Sequence, residues 1–369
     1  MKKLYTVVAL SIYVSFSQAK PFVPDDNFVV LNIDKKNEYQ YEQSKTEINA
    51  HVKSLLLKAK KNQEIYGKIE SILLRNKNIV NSNNELKYYY ANVLQHRHAF
   101  EKAKEIIKNV PLNKANILRA NIHMNLGEYK QAEAECKKLI GKADILIVST
   151  CILHAESYMG RLDQSYKRLK RIYKSSNESN IQYISWVLTA LAEMSSRLGF
   201  YKQSINYYQK ANEIIPNDSH ILSERVDLLY EIKDYQKIIS LLENNHRDTR
   251  LNLRYQRALN KLNMKNKDLE RLHQDIVLLE LRQDKRHYDT RAEYYIWIHR
   301  NPEKALHWAR NNWSVAKTIQ SAKLLLAAAV IAKDKSDIKK IRGWFRKTSV
   351  EDTSLQKTLD KALSHEVIA

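Results

Sequence analysis

Phe100, Tyr129, Leu162, Tyr201, Tyr235, Leu269 and Pro302 each stand three residues ahead of Ala103, Ala132, Ser165, Ser204, Ile238, Leu272 and Ala305. Successive members of the first set are 29, 33, 39, 34, 34 and 33 residues apart, the period of a helix-turn-helix repeat. One helix pair cannot bury its apolar face alone, so a chain with this period is constrained to stack its pairs into a solenoid. Apolar residues recur at helical spacing in stretches such as Ile181, Ile184, Trp186-Val187-Leu188, Leu191 and Met194, whereas the strict alternation of strands is scarce. Only six Gly and five Pro occur in 369 residues. Hairpin turns and glycine-rich phosphate loops therefore have few places to sit, and the chain reads as all-α.

The copy from Ser185 to Asp218 carries Leu191-Ala192, Arg197-Leu198-Gly199-Phe200-Tyr201, Ser204, Tyr207-Tyr208, Ala211 and Pro216, and a second from Asn113 to about Asp144 carries Ala120, Leu126-Gly127-Glu128-Tyr129, Ala132 and Leu139. At these offsets the sequence resembles the tetratricopeptide repeat. The resemblance implies a right-handed superhelical solenoid of antiparallel helix pairs, with small residues where the two axes approach and Gly at the turn. Weaker copies keep the frame over residues 84–320, behind an N-terminal helix pair over 39–83. A C-terminal capping region, 321–369, contains Ile338, Ile341, Trp344 and Phe345 and is expected to close the end of the stack. Segments such as Ala134-Glu135-Cys136, Trp186 to Gly199, Arg291-Ala292-Glu293 and Asn312-Trp313 are similar to a group of exported proteobacterial tetratricopeptide proteins. That group brings no catalytic residues to carry over.

Lys2-Lys3, an apolar run from Leu4 to Phe16 and then Ser17-Gln18-Ala19 have the layout of a secretory signal peptide over 1–19, cleaved after Ala19. Residues 20–38 follow as an extended leader. The run is short for a spanning helix, and no other stretch is long and apolar enough to cross a bilayer. The expected location is periplasmic or otherwise exported. Cys136 and Cys151 are the only cysteines, and an even pair in an exported chain suggests a bridge. Their repeat positions put them on neighbouring helices, and the resemblance supports the pairing. The alternatives are two buried free thiols, or a metal site drawing on His123 and His154.

The 62 basic and 41 acidic residues give a net charge of +21, which attracts anions. An export signal points away from nucleic acid and towards anionic lipid, glycan or an acidic protein face. Arg250, Arg254, Arg257, Lys261 and Lys265 are spaced 4, 3, 4 and 4 apart and form a stripe on one helical face; Arg247 and Lys267 extend the cluster. In the tetratricopeptide frame the concave groove is lined from the first helix of each copy. This places Asn92, Asn121, Trp186, Glu193, Arg197, Arg254, Arg257 and Lys261 there as candidate partner-binding residues. No His-Glu-x-x-His, Gly-x-Ser-x-Gly, phosphate-loop or calcium-loop pattern occurs, so the common catalytic spacings are missing and no cofactor is expected. The sequence reads as a non-catalytic scaffold that takes an envelope protein or peptide in its groove. The alternative is a basic surface docking anionic glycan or lipid, and a metal-handling protein is a more remote one.

Overall fold

The structure is a computed structural model that describes residues 45–59, 65–176, 180–216, 218–244, 248–265, 268–282 and 285–367. The signal sequence, its cleavage point, the leader, the helix start expected near Tyr39 to Ser44, Arg247 and Lys267 lie outside the described residues. The chain divides into Met1–Ser44 and Lys45–Ala369, and all described residues belong to the second unit. Among them there are twenty α-helices and no strand.

Three N-terminal helices, α1 (Lys45–Ala59), α2 (Ile65–Arg75) and the short α3 (Lys77–Asn81), precede eight helix pairs. The pairs are α4/α5 (Asn84–His96, Phe100–Ile107), α6/α7 (Asn113–Leu126, Tyr129–Lys137), α8/α9 (Ile145–Glu156, Leu162–Ser175) and α10/α11 (Ile181–Arg197, Tyr201–Ile214). They continue as α12/α13 (Ser219–Glu231, Tyr235–Leu242), α14/α15 (Thr249–Lys261, Leu269–Leu281), α16/α17 (Tyr288–Trp297, Pro302–Val315) and α18/α19 (Ile319–Ile331, Lys335–Thr348). A last helix, α20 (Thr353–Val367), follows. Each repeated residue of the first set begins a second helix, so the register in the sequence is the register of helix starts.

Local chemistry explains the boundaries. Asn83, Asp144, Asp218, Asp248 and Thr318 accept hydrogen bonds from backbone N–H groups of the first turn of α4, α8, α12, α14 and α18, satisfying donors that a helix start leaves orphaned. Asn301 does the same for α17, with Pro302 at its first position, where the missing N–H is no loss. Ala103, Ala132, Ser165, Ser204, Ile238, Leu272 and Ala305 are all buried. The small members let paired axes approach, and the Ser204 hydroxyl donates across its pair to the Ala192 carbonyl at 2.6 Å.

Two residues before the second helix, seven of the pairs place one residue in the left-handed region: His98, Gly127, Gly160, Gly199, Lys233, Arg300 and Lys333. A residue with a Cβ pays roughly 1 kcal/mol or more there, yet only three of the seven are Gly. At each of those three, another part of the chain comes close. A Cβ on Gly127 would stand 3.0 Å from Lys317 Cβ, and one on Gly199 would stand 3.3 Å from Thr353 Oγ1. Gly160 faces Ser349 in the same way.

These contacts arise because the C-terminal helices do more than cap the end of the stack. The Lys317 N–H donates to the Asn125 carbonyl at 2.7 Å, and the Tyr129 hydroxyl donates to the Lys317 carbonyl at 3.3 Å across 188 residues. The Leu162 N–H donates to the Glu351 carboxylate at 2.8 Å across 189 residues. At the 34-residue spacing of Tyr201 and Tyr235, offsets of 188 and 189 residues are about five and a half repeats and the 154 residues between Arg197 and Glu351 about four and a half, so the superhelical path brings later helices back against earlier turns. Tyr129 and Tyr158 consequently share one core with α16 to α20. Where no segment returns, the helix starts stay open: Leu269 is 38% exposed.

Candidate functional site

The inner row of first helices carries a ladder of charges centred on α14. Its helix places Arg250, Arg254 and Arg257 on one face, and the flanking helices α12 and α16 supply a partner to each in turn. Arg250 lies 3.5 Å from Asp248. It also faces Asp289, whose carboxyl burial would raise but which Arg250, His98 and His287 hold below its ordinary value. Arg254 donates to both Asp227 oxygens, at 2.9 and 2.8 Å, and to Glu293 at 3.2 Å. Its side chain is 11% exposed and that of Glu293 20%, whereas Asp227 is 40% exposed, so the arginine links one half-buried and one solvent-facing carboxyl. Burial raises the Glu293 carboxyl to about 7 against the pull of Arg254, and the neighbouring Asp227 and Asp289 raise it too. Two carboxylates share one arginine here, which explains why the pairing does not keep Glu293 ionised.

One turn further, the Arg257 guanidinium is sandwiched between the Tyr230 and Trp297 rings, 4.0 Å from each centroid. Cation-π contact holds it, and its buried Nε–H has no acceptor within hydrogen-bond reach. The Tyr230 hydroxyl donates to the Arg254 carbonyl at 2.6 Å, locking the ring in place. Lys261 and Lys265, the last members of the stripe, are exposed. Arg250, Arg254, Arg257 and Lys261 thus share one face of α14, as their spacing predicts, but the helix ends at Lys261 and Lys265 lies beyond it, and the inner members are neutralised or stacked.

Trp186, Glu193 and Arg197 come from α10. Glu193 meets His154 at 2.8 Å; burial works to raise its carboxyl, but His154 and Arg197 hold it below the ordinary value. Arg197 is not open to a partner: it is 3% exposed. It donates to Ser157 Oγ at 2.9 Å and to the Glu351 carbonyl at 3.0 Å, and also to the Ser157 carbonyl. Its guanidinium lies 3.9 Å from the Tyr158 ring centroid. The returning C-terminal segment takes the place assigned to a ligand. Trp186 packs on a small cluster of Ala120, Ala132, Ala155 and the cysteine pair. Asn92 and Asn121, on α4 and α6, are half-buried and belong to the same row, well along the stack from Arg257.

Cys136 and Cys151 are joined, their Cα atoms 5.5 Å apart, linking α7 to α8. Both sulfurs are therefore unavailable as thiolate ligands. His123 and His154 are engaged with Glu128 and Glu193. The ligand set weighed for a metal is not assembled, and among the described residues no group of three or more His, Cys, Asp or Glu converges. Sequence spacing missed that Glu293 shares Arg254; the position of Glu293 on the next first helix is the signal that could have found it. It also missed a cleft between α9 and α11, whose lysines at positions 202 and 210 share a helical face.

No protein-family model matches the chain, and no curated protein matches it. Among solved structures, the P58(IPK) tetratricopeptide domain is similar at 14% identity, covering 85% of this chain and 98% of that one with a TM-score of 0.25. Yeast Tom70 is similar at 14% identity, covering 88% of this chain and 79% of its own, with a TM-score of 0.29. Scores this low carry no argument. The tetratricopeptide-like fold stands instead on helix starts, buried small residues and turn conformations that keep one register through the stack.

Proposed function

We propose that this chain is an exported, non-catalytic scaffold that holds a segment of a protein partner along its inner row of first helices. The observation that carries this reading is Arg257. It is oriented by two aromatic faces, yet among the described residues no carboxylate lies within ion-pair distance of it, unlike its neighbour Arg254. A guanidinium held this way has lost most of its rotamer freedom before binding, and an incoming acceptor meets a preorganised donor. Trp186 and Trp297 supply aromatic surface along the same row, suited to anchoring an extended peptide or a helix.

Export is supported by the cysteine bridge, which belongs to oxidising compartments, and by the charged, apolar and small-residue order of the first nineteen residues. Docking of anionic glycan or lipid through the Arg250 to Lys265 stripe finds less support, because Arg250 and Arg254 already face carboxylates.

The test is in-cell crosslinking of the full chain followed by affinity purification and mass spectrometry, with Arg257→Met and Lys261→Gln beside the wild type. A protein captured by the wild type and by Lys261→Gln but lost from Arg257→Met supports the reading. Recovery of lipid or glycan in place of any protein sinks it.

A further inference from the structure

We propose that the cleft between the second helices α9 and α11 binds a compact ligand carrying two phosphate groups. The cleft has a volume of about 560 Å³, within the range of small-molecule sites. Four lysines line it: Lys170 and Lys174 from α9, Lys202 and Lys210 from α11. The other lining side chains are Tyr173, Tyr207 and two neutral amides. None is acidic, and among the described residues none of the four lysines has an ion-pair partner; Lys170 instead lies 5.7 Å from the Tyr166 ring centroid.

Four ammonium groups around one concavity repel one another, and a bound anion relieves that repulsion more directly than screening by salt does. Lysine suits phosphate as a mobile point charge that does not demand a planar, two-pronged partner. The geometry also favours two phosphates over one. Lys202 and Lys210 are eight residues apart on α11, about 12 Å along the axis at 1.5 Å per residue. A ligand with two phosphates on a short carbon frame can engage lysines at both ends of this span with their side chains extended, whereas a single phosphate would have to draw both side chains inward. Tyr207 is buried at the base of the cleft and Tyr173 is half-buried beside it, providing apolar surface for that frame. The ligand is either a free sugar bisphosphate or a bisphosphorylated lipid headgroup.

Calorimetric titration of the full chain with fructose 1,6-bisphosphate, and co-sedimentation with phosphatidylcholine vesicles containing phosphatidylinositol 4,5-bisphosphate, distinguish the two sources. Both are run on wild type, on Lys174→Gln with Lys202→Gln, and on Lys261→Gln with Lys265→Gln as a charge-matched control. Saturable binding to either probe that weakens about tenfold or more in the cleft variant, and stays near wild type in the control, supports the site. Binding of the soluble probe then identifies a free ligand, and binding of vesicles alone identifies a headgroup. Equal weakening in both double variants overturns the proposal, because net charge then explains the attraction. Failure to bind either probe, or inorganic phosphate binding as tightly as the bisphosphate, also overturns it.

Discussion

The arginines of α14 and the lysines between α9 and α11 are both clusters of positive charge on helical faces, but they meet opposite surroundings. Arg254 is enclosed by Asp227 and Glu293 and Arg257 by two aromatic rings, so most of that charge is spent inside the stack. Lys174, Lys202 and Lys210 are exposed and have no carboxylate partner among the described residues. First helices of successive pairs face one another across the inner row and can supply counter-charges from both sides. Second helices in this stretch meet the returning C-terminal segment at their first residues, Leu162 and Tyr201, and their lysine-bearing faces line the cleft. A count of basic residues therefore does not locate the surface that attracts an anion, because desolvation and pairing decide which charges remain.

The difference is sharpest in stability. Arg254→Met leaves Asp227 and Glu293 without their cation and is expected to cost about 3–5 kcal/mol, read as a lower urea midpoint; a change below about 1 kcal/mol would make the two clusters alike. Reduction of the Cys136–Cys151 bridge, or its replacement by Ser at both positions, is expected to cost about 3 kcal/mol for a loop of this length. Because Trp186 rests on that bridge, its fluorescence should shift on reduction, while the α9–α11 cleft keeps its ligand response.

The turns allow the same contrast at smaller scale. Gly127→Ala puts a Cβ in a left-handed turn and against Lys317, and is expected to cost about 1–2 kcal/mol. Lys233→Gly, at the equivalent turn, should stabilise by a few tenths to about 1 kcal/mol, because the left-handed strain is removed. Thermal unfolding of both variants checks the opposite signs.

The inner ladder also imposes a pH dependence that the outer cleft lacks. With an ordinary value of 4.5 and a folded value of about 7, Glu293 keeps its proton in the folded state over that window while the unfolded chain has released it. Its contribution is complete below about 4.5 and is lost as pH rises through about 7. Glu293→Gln should flatten the stability profile over this interval, measured by denaturation at a series of pH values, and Lys202→Gln should leave its slope unchanged. The smallest effect is expected from Lys174→Gln with Lys202→Gln, within about 0.5 kcal/mol in stability. A larger loss would mean that the cleft lysines are structural after all.

What could be read in advance was what neighbouring residues encode. The thirty-odd-residue register, the small residues at Ala103, Ala132 and Ser204, the Asn301-Pro302 helix start and the pairing of Cys136 with Cys151 all depend on contacts within one pair or between adjacent pairs. Of the candidate site, the helical face carrying Arg254, Arg257 and Lys261 was legible because its spacing is a property of one helix. Whether Arg254 is a free cation depends on α12 and α16, and no spacing within α14 reports that.

Amino-acid order alone determined the all-helical state, the pairing of helices and the repeat length, because helix periodicity, capping and turn chemistry act over a few residues. Only the tertiary structure decided that Arg197 belongs to Glu351 and Ser157, and that Gly127, Gly160 and Gly199 stand where the chain comes back. Those contacts with the returning segment span 154 to 190 residues. They follow from small rotations between successive pairs, accumulated over roughly four and a half to five and a half repeats, a sum that no local pattern records.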